Sequence, residues 1–372
     1  MKVLVTGSAG FVGKNLVARL GSDECPDVSE VLEFDRDTDD ALLEGYAAAA
    51  DFVFHLAGVN RPKDPAEFIE GNVDLTTRLL AVLSEHNRCP VLLSSSTQAA
   101  LDNPYGASKK TAEDAVLGYG RETGADAYVY RLPGVFGKWC QPNYNSVVAT
   151  FCHNIAHDLP IVISDRSTQI TLAYIDDVVR EFVRAMGGMA NRLDTGYCAV
   201  PVVHSSTLGD IVDLLGGFKD SRTTLSVPQM DDAFTKKLYS TYLSYLPEDA
   251  FGYPLTMHTD ERGSFTEIIR TADRGQFSVN VIKPGVTKGD HWHNTKTEKF
   301  VVVSGEGIVR FRKVGETHVI EYRVSGEAIQ VIDIPPGYTH NIENLGEGDM
   351  VAFMWGNECF NPDEPDTYFL TV

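Results

Sequence analysis

The chain of 372 residues carries a formal net charge of −20 and is 43% apolar, which is ample for two cores and argues against nucleic acid or an anionic membrane as a general partner. No apolar run is long enough to cross a bilayer, and the first predicted strand starts at Lys2 with no room ahead of it for a signal peptide, so the expectation is a cytoplasmic protein without membrane contact. The six cysteines are scattered without pair spacing and read as reduced thiols.

From Met1 to about Leu215 strand and helix patterns alternate. Strands are predicted at Val3–Thr6, Val31–Phe34, Asp51–Leu56, Val91–Ser94 and Ala127–Arg131, and helices at Gly13–Leu20, Asn72–Glu85 and Ser108–Gly118. Such βα alternation gives a parallel sheet covered on both faces. Helices are predicted at Thr207–Leu215 and Asp231–Tyr245, and the stretch 246–254, with Pro247 and Pro254, reads as a linker. The expected domains are therefore 1–245 and 255–372. In the second, short β-rich runs separated by Gly, Pro and Asp turns take over: Gly263–Arg270, Gln276–Ile282, Phe300–Ser304, Gly307–Lys313, Thr317–Val324, Ala328–Ile334 and Asp349–Trp355. That pattern predicts a small antiparallel barrel or sandwich.

Thr6-Gly7-Ser8-Ala9-Gly10-Phe11-Val12-Gly13 lies between the first strand and the first helix. Gly7 suits a tight turn, Gly10 lets the backbone approach a pyrophosphate, and Gly13 lets helix and sheet pack closely; the helix N-terminus then receives the phosphates. Asp35, ending the second strand, would accept from a ribose 2′-OH and favour NAD, whereas Arg36 would pair with a 2′-phosphate and favour NADP. The residues alone leave both open. Further on, Tyr105 and Lys109 are one helical turn apart, and a lysine beside a phenol lowers its pKa. The fourth strand ends in Ser94-Ser95-Ser96-Thr97, where one hydroxyl can hold a carbonyl oxygen.

These residues resemble the extended short-chain dehydrogenase/reductase family, as do His55-Leu56-Ala57-Gly58, Arg131-Leu132-Pro133-Gly134-Val135-Phe136-Gly137 and Tyr174-Ile175-Asp176-Asp177-Val178. The resemblance covers about 1–245 and implies an α/β Rossmann-like fold. It further implies Tyr105 as proton donor or acceptor, Lys109 on the nicotinamide ribose, and Ser96, with Thr97 its rival, polarising the carbonyl. The gap from the serine cluster to Tyr105 is shorter than usual in the family. Coenzyme contacts are implied at Gly7, Gly10, Phe11, Val12 and Gly13, at Asp35 and Arg36, at Leu56, Ala57 and Gly58, and at Tyr105 and Lys109. Many relatives act on nucleotide-linked sugars.

In the second domain His291 and His293 are two apart, which places both on one strand face. Glu298 returns on the next strand, and the turn at Pro336-Gly337 aims His340 inward. Three histidines and a carboxylate suit Zn²⁺, Mn²⁺, Fe²⁺ or Ni²⁺ better than Ca²⁺ or Mg²⁺. The spacing Gly285-x5-His291-x-His293-x4-Glu298-x6-Gly305 resembles the first motif of the cupin family, and Pro335, Gly337, His340 and Asn344 resemble the second, with Ile329 in place of its leading glycine. DERGSFTEIIR around Arg262 and GVTKGDHWH around His291 also look like dTDP-sugar 3,5-epimerases, in which the histidine aligned with His291 is the base. A metal-bound imidazole nitrogen cannot also take that proton; the added His293 and Glu298 favour metal, with Zn²⁺ expected. Four protein ligands close a tetrahedral zinc site and favour a structural ion, while a five-coordinate site would polarise a ketone. The base would then come from Lys288, Lys299 or Tyr338.

The two-domain order, and Asn143–Ile163, resemble the bifunctional capsular polysaccharide enzymes of the CapF type. That resemblance implies a UDP-linked 4-keto-6-deoxy amino sugar as substrate, UDP-2-acetamido-2,6-dideoxy-4-ketohexose, with C3 epimerisation in the barrel and NADPH-dependent C4 reduction in the large domain. The product would be UDP-N-acetyl-6-deoxy-L-talosamine, on the route to N-acetyl-L-fucosamine, and a homodimer is expected by analogy. The competing expectations are a 4-ketoreductase of another nucleotide sugar with a non-catalytic metal barrel, and a redox-sensing binding protein without turnover.

Overall fold

The computed structural model describes residues 1–372 other than Lys63 and Pro65. They form two units, 1–216 with 230–247 and 217–229 with 248–372. Among the described residues no helix is long and apolar enough to cross a membrane.

In the first unit, strands β1 (Lys2–Thr6), β2 (Glu30–Phe34), β3 (Phe52–His55), β4 (Val91–Ser96) and β5 (Ala127–Leu132) pair in parallel in the order β2-β1-β3-β4-β5. Alternation along each strand divides its side chains between two cores. Val3, Val5, Phe52, Phe54, Leu92, Tyr128 and Tyr130 face helices Phe11–Leu20 and Ile175–Met186. Leu4, Val53, Val91, Leu93 and Val129 face Leu42–Ala49, Leu75–Glu85 and Pro104–Thr123. Burial on both faces is why these strands read as continuous apolar runs. Strand order reverses around β1, so the crevice opens at the carboxyl ends of β1 and β3. A smaller sheet, Gly134–Phe136, Gln169–Tyr174 and His204–Thr207, was not anticipated.

Local differences from expectation have local causes. The helix expected from Ser108 begins at Pro104, because Asn103 Oδ1 accepts the Gly106 N–H at 2.8 Å and proline suits the first turn. The helix expected from Asn72 is α-helical from Leu75; Glu70–Asp74 is a π-helical turn. Residues 217–229, expected with the first domain, pack with the second unit: the Val227 N–H donates to Arg270 O at 3.1 Å and the Arg270 N–H to Leu225 O at 2.9 Å.

The second unit is all-antiparallel. One sheet runs Val331–Ile334, Glu298–Ser304, Met350–Gly356, Gly275–Ile282, Gly263–Thr271, Met257–Asp260; the other runs Val319–Ser325, Glu306–Lys313, Tyr338–Asn344, Thr287–Trp292, Tyr368–Phe369. Ile282, Phe300, Val302, Val309, Phe311, Ile342, Met350 and Ala352 fill the space between. The chain is thus a Rossmann-like α/β domain followed by a β-rich, cupin-like barrel.

One irregularity decides what the barrel presents. Lys288 pairs with Ile342 and Gly289 with Asn341, but His291 pairs with His340, leaving Asp290 as an extra residue at φ 61°. Residues three apart normally face opposite ways. This bulge instead brings Lys288 and His291 to the same inner face, beside buried Ile342 and His340. Gly289 lies at φ 111°, and a Cβ there would sit 2.8 Å from His340 O.

Candidate active site and metal centre

The glycine-rich turn has the geometry its spacing implies. Gly7 is at φ 72°, its N–H bonds to Phe34 O at 2.8 Å, and a Cβ would meet Ala57 N at 2.6 Å; at Gly13 a Cβ would meet Gly7 O at 2.1 Å. Gly10 is the N-cap of the helix Phe11–Leu20, and Phe11 and Val12 begin that helix, half-buried against the core. The Asp35 carboxylate accepts the main-chain N–H of Ala9 at 2.8 Å and of Arg36 at 2.8 Å, and so ties the turn to the end of β2. The Arg36 side chain is exposed.

Beneath the turn lies a chain of hydrogen bonds that the sequence did not reveal. Thr76 donates to Asn72 O at 2.7 Å, so its oxygen accepts from His55 Nε2 at 2.8 Å, and His55 Nδ1 accepts from Thr6 Oγ1 at 2.7 Å. Burial, with the nearby Lys109 charge, pushes the His55 pKa down to about 3, which keeps the ring neutral. Leu56 and Ala57 direct their N–H groups at Thr6 O and Oγ1, at 3.0 and 3.3 Å. Gly58 is glycine for a close approach: a Cβ would lie 2.9 Å from Lys109 Nζ and 2.8 Å from Asn72 Oδ1.

Tyr105 and Lys109 lie on the helix Pro104–Thr123, which follows β4 after the 3-10 turn Thr97–Ala100. Lys109 Nζ donates to Ser94 O at 3.2 Å, and burial lowers its pKa to about 8 against the pull of Glu113. The expected depression of the Tyr105 phenol by Lys109 is not found. Burial raises the Tyr105 pKa, and only the Ser96 hydroxyl opposes it. Ser96 Oγ accepts the Gln98 N–H at 3.1 Å, leaving its own proton to donate, whereas Thr97 is exposed in the following 3-10 turn. Two groups missing from the sequence reading brace the helix. Asn72, in the π-turn, holds Val59 N and O at 2.9 Å each and donates to Ser108 Oγ at 3.0 Å. Buried Glu113 accepts from Ser95 at 2.6 Å and from Arg131 at 2.9 and 2.7 Å. No sequence pattern marks Asn72, because the π-turn that places it exists only in the folded helix.

In the barrel, ligand atoms of His291, His293, Glu298 and His340 all lie within 4.8 Å of one another. Glu298 Oε2 is 3.6 Å from His293 Nε2 and 3.4 Å from His340 Nε2. His293 Nε2 and both ring nitrogens of His340 are buried without a hydrogen-bond partner. Unpartnered buried nitrogens are costly, and a shared cation would satisfy His293 Nε2 and one nitrogen of His340. Burial lowers His291 to about 4, so it is a neutral imidazole with a free lone pair, as a ligand requires. Burial alone would raise Glu298; the His293 and His340 rings beside it and the Lys296 charge hold it well below the usual carboxylate range. The donor set fits a transition metal held by all four residues.

Of the three candidate bases, Lys299 points outward and pairs with Asp333, so it does not join the centre. Tyr338 shares the His340 face and packs on the core. Lys288 donates to Asn280 Oδ1 at 2.7 Å and Val281 O at 3.1 Å, its pKa lowered by burial. It borders a cavity of about 510 Å³ also lined by His258, Asp260, Arg262, Phe265 and Asn280.

Comparison with known proteins places this architecture. Residues 3–193 match the NAD dependent epimerase/dehydratase family, and residues 258–368 match the polysaccharide biosynthesis C-terminal domain. A UDP-2-acetamido-2,6-beta-L-arabino-hexul-4-ose reductase of Pseudomonas aeruginosa is 46% identical, with 100% of this chain and 99% of that protein covered. The chain belongs to the CapF-type family. Its similarity to the crystal structure of the capsular polysaccharide assembling protein CapF from Staphylococcus aureus is 53% identity at a TM-score of 0.94, covering 100% of both chains. CapF-type relatives therefore share both units in the same order. A UDP-glucuronic acid 4-epimerase from Bacillus cereus, 17% identical with a TM-score of 0.53 over 66% of this chain, shares the fold alone.

Proposed function

We propose that the chain is a bifunctional nucleotide-sugar enzyme that epimerises C3 of UDP-2-acetamido-2,6-dideoxy-4-ketohexose in the barrel and reduces its C4 ketone in the Rossmann-like unit, giving UDP-N-acetyl-6-deoxy-L-talosamine. The 4-ketone serves both steps. It acidifies the C3 hydrogen because the carbanion spreads onto oxygen, and it is the electrophile for hydride. The observation that carries the reading is Tyr105, Lys109 and Ser96 gathered at the end of β4, in a chain related end to end to a named hexul-4-ose reductase.

The bound nicotinamide supplies the hydride. Ser96 donates to the carbonyl oxygen and stabilises charge at the Tyr105 phenol, Tyr105 delivers the proton that the developing alkoxide needs, and Lys109 holds the nicotinamide ribose. NADPH is favoured because exposed Arg36 follows Asp35 at the end of β2 and is available for a 2′-phosphate. Steady-state oxidation of NADPH with the 4-ketosugar tests the reading. Tyr105→Phe should abolish it, and near-normal oxidation by that variant would remove Tyr105 from the reaction.

In the barrel, His291, His293, Glu298 and His340 would hold Zn²⁺, which supplies either a structural cross-link or Lewis acidity. Lys288 is the proposed base: its amine is desolvated, shares the inner face with His291 and borders the cavity. Four protein donors fill a tetrahedral zinc site, which favours a second reading in which the ion is structural and the chain acts as a 4-ketoreductase only. Product analysis by NMR separates the two, since only the bifunctional enzyme inverts C3. A cytoplasmic homodimer completes the proposal.

A further inference from the structure

His293 is held from outside the ligand set. Its Nδ1 lies 2.6 Å from the main-chain carbonyl of Asp366, 73 residues away. A carbonyl oxygen can only accept, so Nδ1 carries the proton and Nε2 presents its lone pair to the centre. The Asp366 carboxylate works on the same turn. It accepts the main-chain N–H groups of Asn294 at 3.0 Å, Thr295 at 2.8 Å and Lys296 at 2.9 Å, and the Thr295 hydroxyl at 3.1 Å. To do both, Asp366 adopts φ 38°, unusual for a residue with a side chain.

The residues that follow fasten the other two histidine strands. Tyr368–Phe369 pairs antiparallel with Trp292 and His291, and the Trp292 and Tyr368 rings stack at 4.9 Å. The Leu370 N–H donates to Asp290 O at 2.9 Å and the Val372 N–H to Asp290 Oδ1 at 3.2 Å, so the bulge that turns His291 inward is clasped from outside. Thr339, beside His340, donates to Leu370 O, and Arg312 donates to Thr371 O.

We infer that residues 366–372 form a strap that sets the barrel's metal centre, and that Asp366 is the positioning residue for His293, fixing its tautomer and direction. The inference rests on the proposed metal site. An outer partner of a ligating imidazole raises ligand basicity and removes rotational freedom, and its loss typically lowers metal affinity 10–100-fold.

The test uses the full chain, stripped of metal and titrated with Zn²⁺ against a chromophoric chelator, and separately loaded with Co²⁺ for its visible absorption. Asp366→Gly tolerates the backbone conformation but removes the carboxylate, which lets the 294–296 turn and the Asp366 carbonyl drift. Zn²⁺ affinity should fall roughly 10–100-fold, and the Co²⁺ ligand-field bands should shift. Asp366→Asn also tolerates that backbone and keeps one acceptor oxygen, so it should recover most of the affinity and the native spectrum. Tyr368→Ala removes the ring stacked on Trp292 and loosens the strap while leaving the Asp366 contacts in place, so it should lower Zn²⁺ affinity and shift the Co²⁺ bands by less than Asp366→Gly does. Affinity within about twofold of native in Asp366→Gly, with an unaltered Co²⁺ spectrum, would overturn the role of Asp366 while leaving the metal site standing. Should Asp366→Gly not fold, native Zn²⁺ affinity together with an unaltered Co²⁺ spectrum in Tyr368→Ala would overturn the strap's role equally. Failure of the native chain to take up either ion would remove both the strap's role and the metal site.

Discussion

The two units present reactive side chains in opposite ways. In the Rossmann-like unit they stand at strand ends and helix starts: Gly7 after β1, Ser96 at the end of β4, Tyr105 and Lys109 on the next helix. In the barrel they come from neighbouring strands, His291 near the end of Thr287–Trp292, His293 just beyond it, Glu298 at the start of Glu298–Ser304 and His340 within Tyr338–Asn344, and pairing register helps decide whether they meet. A site of the first kind is set by local turn and cap chemistry. A site of the second kind depends on partners many residues away, and a one-residue slip turns its side chains outward.

The largest effect expected from this contrast is in the first unit. Tyr105→Phe removes one hydroxyl and leaves the ring packed 5.7 Å from Phe68. Steady-state NADPH oxidation should fall by about 10²–10⁴ with no change in the melting profile. A matching loss of stability would mean that the hydroxyl is structural and the site is less local than argued.

In the barrel the sharpest probe is Gly289→Ala. At φ 111°, with the new Cβ 2.8 Å from His340 O, the bulge cannot persist unstrained. A loss of about 1–3 kcal/mol is expected in barrel stability by denaturant unfolding, together with loss of metal uptake by elemental analysis. Unchanged metal content would show that register does not govern this site.

Acid sensitivity should separate the first unit further. His55 has a folded pKa near 3, lowered by burial from 6.5. The unfolded chain therefore binds the proton more readily, and stability present above pH 6.5 is lost as pH falls toward 3, by about 1.4 kcal/mol per pH unit. Urea unfolding at pH 7 and pH 5 should show a drop of roughly 2 kcal/mol that His55→Asn lacks. An equal drop in the variant would assign the acid sensitivity to other groups.

The smallest effect concerns the coenzyme. Arg36→Ala should raise the KM for NADPH roughly tenfold, the scale of one charged hydrogen bond, and spare NADH. Equal losses for both coenzymes would remove Arg36 from phosphate recognition.

This contrast also explains what was legible in the sequence. The glycine turn and the Tyr105–Lys109 pair were readable because each lies within one turn or helix. The clustering of His291, His293, Glu298 and His340 was readable because cupin spacing is a fixed arithmetic along two hairpins. Helix starts were misplaced by a few residues where Asn103 capped earlier than the apolar pattern suggested. The Asp290 bulge was hidden, since nothing in Lys288-Gly289-Asp290-His291 announces that an extra residue will be absorbed. Asp366 was hidden more deeply: it reaches His293 through a main-chain carbonyl, which has no sequence signature. The path through Thr6, His55, Thr76 and Asn72 was invisible because each member looks like an ordinary strand or helix residue until the β1 and β3 ends are side by side.

The central claim is that two chemistries act on one ketone at two separate sites. It is tested most directly by incubating the full chain with the 4-ketosugar in D₂O without coenzyme and following C3 by NMR. The account predicts deuterium at C3 in the native chain and in Tyr105→Phe, and none in Lys288→Met. No incorporation by the native chain, or loss of incorporation in Tyr105→Phe, would contradict it.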